Sequence, residues 1–161
     1  MSEIQVVKRN GNKDTLDLEK LHKVVFSACE NLNGVSASEV EIKSSLQFYS
    51  GITSSEIQET LIKSAADLIS EEQPNYQWVA GRLIVYHLRK MVYGQYDPWH
   101  ILELIKTNVD EGFYDSSLLE NYTDEEWDEL NSHLKHDRDE TMTYAAMEQW
   151  RGKYLVPVSY T

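Results

Sequence analysis

The sequence predicts a mainly α protein: a four-helix bundle capped by a small three-stranded β-sheet, followed by additional short helices. Three observations carry that prediction. Asn10-Gly11 separates two short β-rich runs, the strongest short-range hairpin signal. Four segments between residues 17 and 93 repeat apolar residues at helical intervals. Beyond Gly94 the pattern breaks into shorter, strongly acidic pieces.

Taken in order, residues 4–8 form the first strand and residues 13–16 the second. The turn is Arg9-Asn10-Gly11-Asn12, whose Asn and Gly both tolerate positive φ. Asp17 is placed to cap a first helix in which Leu18, Leu21, Val24, Val25, Ala28 and Leu32 recur, stopping at Asn33-Gly34. A second helix begins at residue 36 or 38 and runs to 49. Gly51-Ile52-Thr53 adds a short third strand. Ser54 or Ser55 caps the third helix, with a stripe of Ile57, Leu61, Ala65, Leu68 and Ile69. The fourth spans 75–93, with Tyr76, Val79, Leu83 and Tyr86 on one face and Ala80, Ile84 and Met91 beside it. So wide a stripe wants neighbours on more than one side. Residues 95–98 read as a linker. Short helices follow, separated by Gly112, Asp115 and Thr123; a last helix covers 143–151, and residues 154–158 are extended. The expected division is therefore residues 1–94 and residues 95–161.

Composition narrows function. At 161 residues and 41% hydrophobic, the chain can bury one core. Its longest apolar runs fall far short of the roughly 20 residues a bilayer helix needs, and the opening MSEIQVVKRN has no apolar signal core. A cytoplasmic protein that does not engage membrane is expected. A single cysteine, Cys29, excludes an internal disulfide framework and a multi-cysteine zinc site, and reads as a small buried apolar residue. The net charge of −12 argues against nucleic acid as a partner. Residues 1–100 carry 10 Lys/Arg against 13 Asp/Glu, and residues 101–161 carry 5 against 14. Cations for a small anion are therefore to be sought in the first part.

Lys8 and Arg9 end the first strand, Asp14 lies on the second, and Asp17 and Lys20 stand where the first helix begins. A hairpin leading into a helix gathers these at one end. There, helix N–H groups and three cations suit phosphate, and the acceptor-only carboxylates suit an adenine amino group. On pattern alone, solvated charges flanking a hairpin are the commoner reading. The seven glycines form neither a Walker A nor a Rossmann pattern. His133 and His136 share a helix face but lack the carboxylate partners of a metal centre, so no metal site is expected.

The opening VVKRNGNKDTLDLEKLHKVVFSACENL resembles the nucleotide-binding module called the ATP-cone, and the likeness continues through LQFYSGITSSEIQETLIKSAADLIS and PNYQWVAGRLIVYHLRKMVYGQYDP. The later stretches GFYDSSLLENYTDEEW and HDRDETMTYAAMEQWRGKYLV resemble the helical region after the cone in large (α) subunits of bacterial and phage class I ribonucleoside-diphosphate reductases, to about Val156. The resemblance implies an allosteric activity site that binds ATP as activator or dATP as inhibitor, with Mg2+ accompanying the triphosphate. It implies phosphate contacts from Lys8, Arg9, Lys20 and Lys90. Adenine contacts would come from Asp14, Asp17 and the backbone of Thr15, Leu16, Leu18, Glu19 and Lys20, with Leu21 and Val6 near the base. Ser54 and Gln58 would lie by the sugar and phosphates. Nothing in the pattern itself brings Lys90 near the hairpin. Four positions depart from the family: Asp17 stands where Asn is common, Gln58 where His is, Asp14 where Glu is, and Ser54 where Thr is. Their nearest consequence is for discrimination between ATP and dATP.

Reductases of this family need a thiyl-radical cysteine and a redox-active cysteine pair, which one cysteine cannot provide. The chain is therefore expected to hold neither the catalytic residues nor a redox cofactor, and to be inactive alone as an oxidoreductase. It is either a truncated piece or one part of a split large subunit; its ending Val156-Pro157-Val158-Ser159-Tyr160-Thr161 departs from the family's continuation after KYLV. The implied partners are the rest of the large subunit and the small subunit, whose assembly the cone would control. The alternative is a degenerate cone serving as an assembly piece. A cone-containing transcriptional regulator would be expected to carry a basic part and a zinc ribbon, which the acidic tail and single cysteine exclude.

Overall fold

The hairpin forms where Asn-Gly sits, with a turn different from the expected one. In the computed structural model, which describes residues 4–155, β1 (Gln5–Val7) and β2 (Lys13–Thr15) pair antiparallel, with Val6 opposite Asp14 and Val7 opposite Lys13. The Gly11 N–H donates to Lys8 O at 2.9 Å and the Lys8 N–H to Asn12 O at 2.8 Å. Gly11 has φ +80° while Asn10 keeps a negative φ. This is the longer loop with one left-handed glycine, in place of a two-residue turn with both residues left-handed. The third strand, β3 (Ile52–Thr53), adds parallel to β1, pairing Val6 with Ile52 and Val7 with Thr53, in the order β2-β1-β3.

Among the described residues, eight α-helices follow from these sequence signals. Asp17 caps α1 (Leu18–Cys29) by accepting the Lys20 N–H at 2.9 Å. The helix ends earlier than its apolar spacing implied: the chain turns out at Glu30, and Asn31 takes φ +59°. Leu32 still packs on the core, whereas Leu18, in the first turn, is exposed. Helix α2 (Ala37–Ser45) stops short of residue 49, and α3 (Ser54–Ala66) starts from Thr53 through a capping box with Glu56, one residue before the expected caps. Leu68 and Ile69 lie beyond its end. Helix α4 (Tyr76–Val92) matches its predicted span within a residue at each end, although Met91 is exposed. The later helices are α5 (Ile101–Asp110), α6 (Ser117–Glu120), α7 (Asp124–His133) and α8 (Tyr144–Gln149). A 3-10 turn covers His136–Thr141, and a π-turn, Trp150–Tyr154, replaces both the end of the last predicted helix and the start of the predicted extended tail. Residues 156–158 of that tail lie outside the described residues.

Two compact units result. The first comprises residues 4–88 together with 139–155. Its core joins Val6 and Ile52 of the sheet to Val25, Val40, Leu61, Ile62, Tyr76, Val79, Leu83, Ile84 and, from α8, Met147. Burying each such aliphatic side chain stabilises by about 1.5–3 kcal/mol. Tyr76 is fully buried; its hydroxyl accepts from the Ser36 N–H at 2.9 Å and donates to Glu39 Oε2 at 2.5 Å. Burial, reinforced by Glu39, pushes its pKa up to about 12. Arg82 of α4 donates to Ala28 O, Glu30 O and Glu140 O, tying α4 to the exit of α1 and to the returning chain. Gly81 marks where that return is closest, since an ideal Cβ there would lie 2.2 Å from Met142 O.

The second unit, residues 89–138, centres on Trp127, with Tyr122 edge-on at 5.6 Å between ring centroids. Within it, His100 caps α5 and lies 3.2 Å from Asp128, and buried Arg89 donates to His136 O and stands over the Tyr96 ring. Among the described residues no helix is long and apolar enough to cross a membrane.

Candidate functional site

The hairpin's pleat brings the expected cations and carboxylates to one place. Lys8 and Asp14 are diagonal neighbours across β1 and β2, and Lys8 Nζ lies 3.2 Å from Asp14 Oδ2. Asp14 Oδ1 also accepts the Thr15 N–H at 2.9 Å. The Lys8 contact first, and that N–H second, hold the Asp14 carboxyl below the usual carboxylate range, and Lys20 is close enough for its charge to act in the same direction. Lys8, Asp14 and Lys20 therefore share one electrostatic neighbourhood at the start of α1. Asp17 belongs to the same end, its Oδ1 engaged in the cap. An open polar hollow of about 580 Å3 on the hairpin is lined by Lys8, Asn10, Asn12, Lys13 and Asp14.

The parallel register of β1 and β3 sets the second wall. Because Val7 pairs with Thr53, the chain leaving β1 at Lys8 runs alongside the chain entering α3 at Ser54. Gln58 follows one turn later, and its Oε1 is buried without a hydrogen-bond partner. Glu56 belongs to the cap: the Thr53 N–H first, and the Thr53 hydroxyl second, hold its carboxyl below the usual range. The charge of Arg9 acts on both Tyr86 and His87 of α4.

The expected residues divide accordingly. Lys8 and Asp14 are paired, Asp17 caps α1 through the Lys20 N–H, the charge of Lys20 acts on Asp14, and Thr15, Leu16, Leu18 and Glu19 form the backbone between them. Ser54 and Gln58 stand at the start of α3. Val6, expected near a base, is 4% exposed and lies in the core, and Leu21 packs against that core. Alternation along β1 turns Val6 inward. Lys90 falls in the second unit, where its Nζ donates to Gly94 O at 2.9 Å. Cys29 is half-buried, and burial pushes its thiol up to about 11, so it is a packing residue.

Three residues went unnoticed in the sequence. His87 is buried on α4, with Nε2 3.4 Å from Glu59 Oε1 and Nδ1 without a hydrogen-bond partner. Burial first, and the charges of Arg9 and Arg151 after it, lower its pKa against the opposing pull of Glu59. Its signal was spacing: it lies four residues beyond Leu83 on the buried stripe. Glu59 and Arg151 meet across 92 positions of sequence, and no local pattern announces that pairing. Among the described residues no group of three or more His, Cys, Asp or Glu could hold a metal ion.

These features, a cationic hairpin over a helix start with a three-stranded sheet above four helices, define a module suited to an anionic ligand. The chain belongs to the ATP-cone family, whose domain model, the ATP cone domain, matches residues 4–91. It is also similar to the N-terminal region of ribonucleoside-diphosphate reductase α subunits. It is 48% identical over 153 residues to the subunit from Haemophilus influenzae, covering 95% of this chain and 20% of that protein. It is 48% identical over 151 residues to the α subunit of ribonucleoside-diphosphate reductase 1 of Escherichia coli, and 40% identical over 158 residues to the reductase α subunit of Enterobacteria phage T4, covering 94% and 97% of this chain. The chain spans about a fifth of the length of these relatives.

Proposed function

We propose that this chain is the allosteric activity-site module of a ribonucleotide reductase large subunit, binding ATP as activator and dATP as inhibitor in deoxyribonucleotide synthesis. The observation that carries the reading is the Lys8–Asp14 ion pair, with Lys20 of the capped first turn of α1 close enough for its charge to act on Asp14. Side-chain cations beside a helix N-terminus suit a polyphosphate, with Mg2+ accompanying it. Asp14 and Asp17 accept from an adenine amino group through lone pairs that their present bonds leave over. Residues 1–94 then act as the nucleotide-binding cone and residues 95–161 lead towards the catalytic barrel. A nucleotide that binds two assembly states unequally shifts their balance by that difference. The states in question are assemblies of the large subunit with the small subunit, in the cytoplasm.

Isothermal titration with ATP and dATP tests the reading. Saturable binding is expected, and Lys8→Ala or Lys20→Ala removes a charge-assisted contact, raising Kd about tenfold. Lys90→Ala tests the further phosphate contact that the resemblance implies. No heat and no chemical-shift change at millimolar nucleotide would refute the proposal.

A further inference from the structure

Arg151 ties the π-turn to α3. Its Nη1 donates to Glu59 Oε1 at 2.7 Å and its Nη2 to Glu59 Oε2 at 3.2 Å. Its Nε and Nη2 also donate to Glu148 Oε2 and Oε1 at 3.1 and 2.6 Å. A guanidinium gripping two carboxylates in this way fixes geometry as well as charge. Glu59 is the residue after Gln58, and its Oε1 is the atom that lies 3.4 Å from His87 Nε2. His87 is 3% exposed, so charges around it are weakly screened. Arg9 of the hairpin acts on it from one element, and Glu59 and Arg151 act from two others.

We infer that α3, which carries Ser54 and Gln58 of the candidate site and Glu59 of this clamp, couples ligand occupancy to the anchoring of residues 139–155, so that this returning segment is the module's output. The inference rests on the nucleotide-binding reading above. A ligand against Ser54 and Gln58 fixes the start of α3, and with it the position from which Glu59 holds Arg151. Glu59, held in turn between His87 and Arg151, passes that order on to the π-turn. Linkage makes the effect reciprocal: a firmly anchored tail must also tighten ligand binding. A purely structural clamp would raise stability and leave ligand affinity untouched.

Hydrogen exchange read by mass spectrometry on the 161-residue chain, with and without saturating ATP or dATP, tests the coupling. In the unsubstituted chain, nucleotide should slow exchange in the hairpin, in α1 and in residues 139–155. In Arg151→Met the slowing should persist in the hairpin and α1 but vanish in 139–155, and Kd should rise about fivefold or more. Glu59→Gln should do the same, and the double variant should lose no more than either single one. Arg151→Lys keeps the charge without the fork; it should fall between, and it carries the test if Arg151→Met does not fold. If nucleotide protects the hairpin while exchange in 139–155 is unchanged, or if Arg151→Lys and Glu59→Gln bind as tightly as the parent, the coupling is wrong and the binding site stands. If the unsubstituted chain binds neither nucleotide, the site reading falls and the coupling with it.

Discussion

Gly81→Ala probes how the chain closes on itself. Ordinary carbon contacts lie at about 3.5–4.0 Å, but a methyl at Gly81 would stand 2.2 Å from Met142 O and 3.0 Å from Thr143 C. Both obstacles are backbone, so no rotamer change relieves them. Residues 142–143 would have to retreat by ~1 Å, against the Arg82 bond to Glu140 O at 3.3 Å on one side and the Arg151 clamp on the other. Overpacking of this kind costs about 1–3 kcal/mol, and replacing a mid-helix glycine by alanine returns at most about 1 kcal/mol. A net loss of about 1–2 kcal/mol is expected, or a fall in Tm of roughly 2–8 °C. Urea denaturation followed by circular dichroism measures it as a lower midpoint with unchanged slope. A variant as stable as the parent, or more so by the helix-propensity gain, would show that the returning chain does not sit on α4.

Tyr76→Phe removes the acceptor of the Ser36 N–H and the donor to Glu39, leaving a part-buried N–H unpaired; a loss of about 1–3 kcal/mol is expected by urea denaturation. The pH dependence of the α3 cap follows from Glu56. Its folded pKa lies below the reference value of 4.5, so its stabilisation is complete above that value and is lost as the pH falls through the lower, folded one. Glu56→Gln should therefore be less stable than the parent at pH 7, and the gap should narrow as the pH falls below 4.5. A gap that stays constant on acidification until the protein unfolds would mean that the carboxylate is not what holds the cap.

Local signals made most of the first unit legible. Asn10-Gly11 announced the hairpin, the period of Tyr76, Val79 and Leu83 announced α4, and the grouping of Lys8, Asp14, Asp17 and Lys20 followed from a hairpin running straight into a helix. Errors fell where tertiary contact outweighs spacing. Leu32 keeps the period of α1 after the helix has ended, because a side chain can reach the core from a loop. Thr53 takes the cap from Ser54 because Glu56 stands three residues after it and can close the box. The Arg151 end of the cluster with Glu59 and His87 was illegible for another reason: only the return of the chain makes Arg151 their neighbour.

The family pattern ends at residue 91, whereas the physical core does not. Met147 is part of that core, and Met142 and Tyr144 pack against it, all contributed after the chain has passed through fifty residues of a separate compact unit. A piece cut at residue 91 would leave Gly81 facing an empty trough and Arg82 with one carbonyl fewer. Any protein that borrows this module must therefore supply its own cover for that flank, and the identity of that cover becomes a place where otherwise similar modules can be tuned apart.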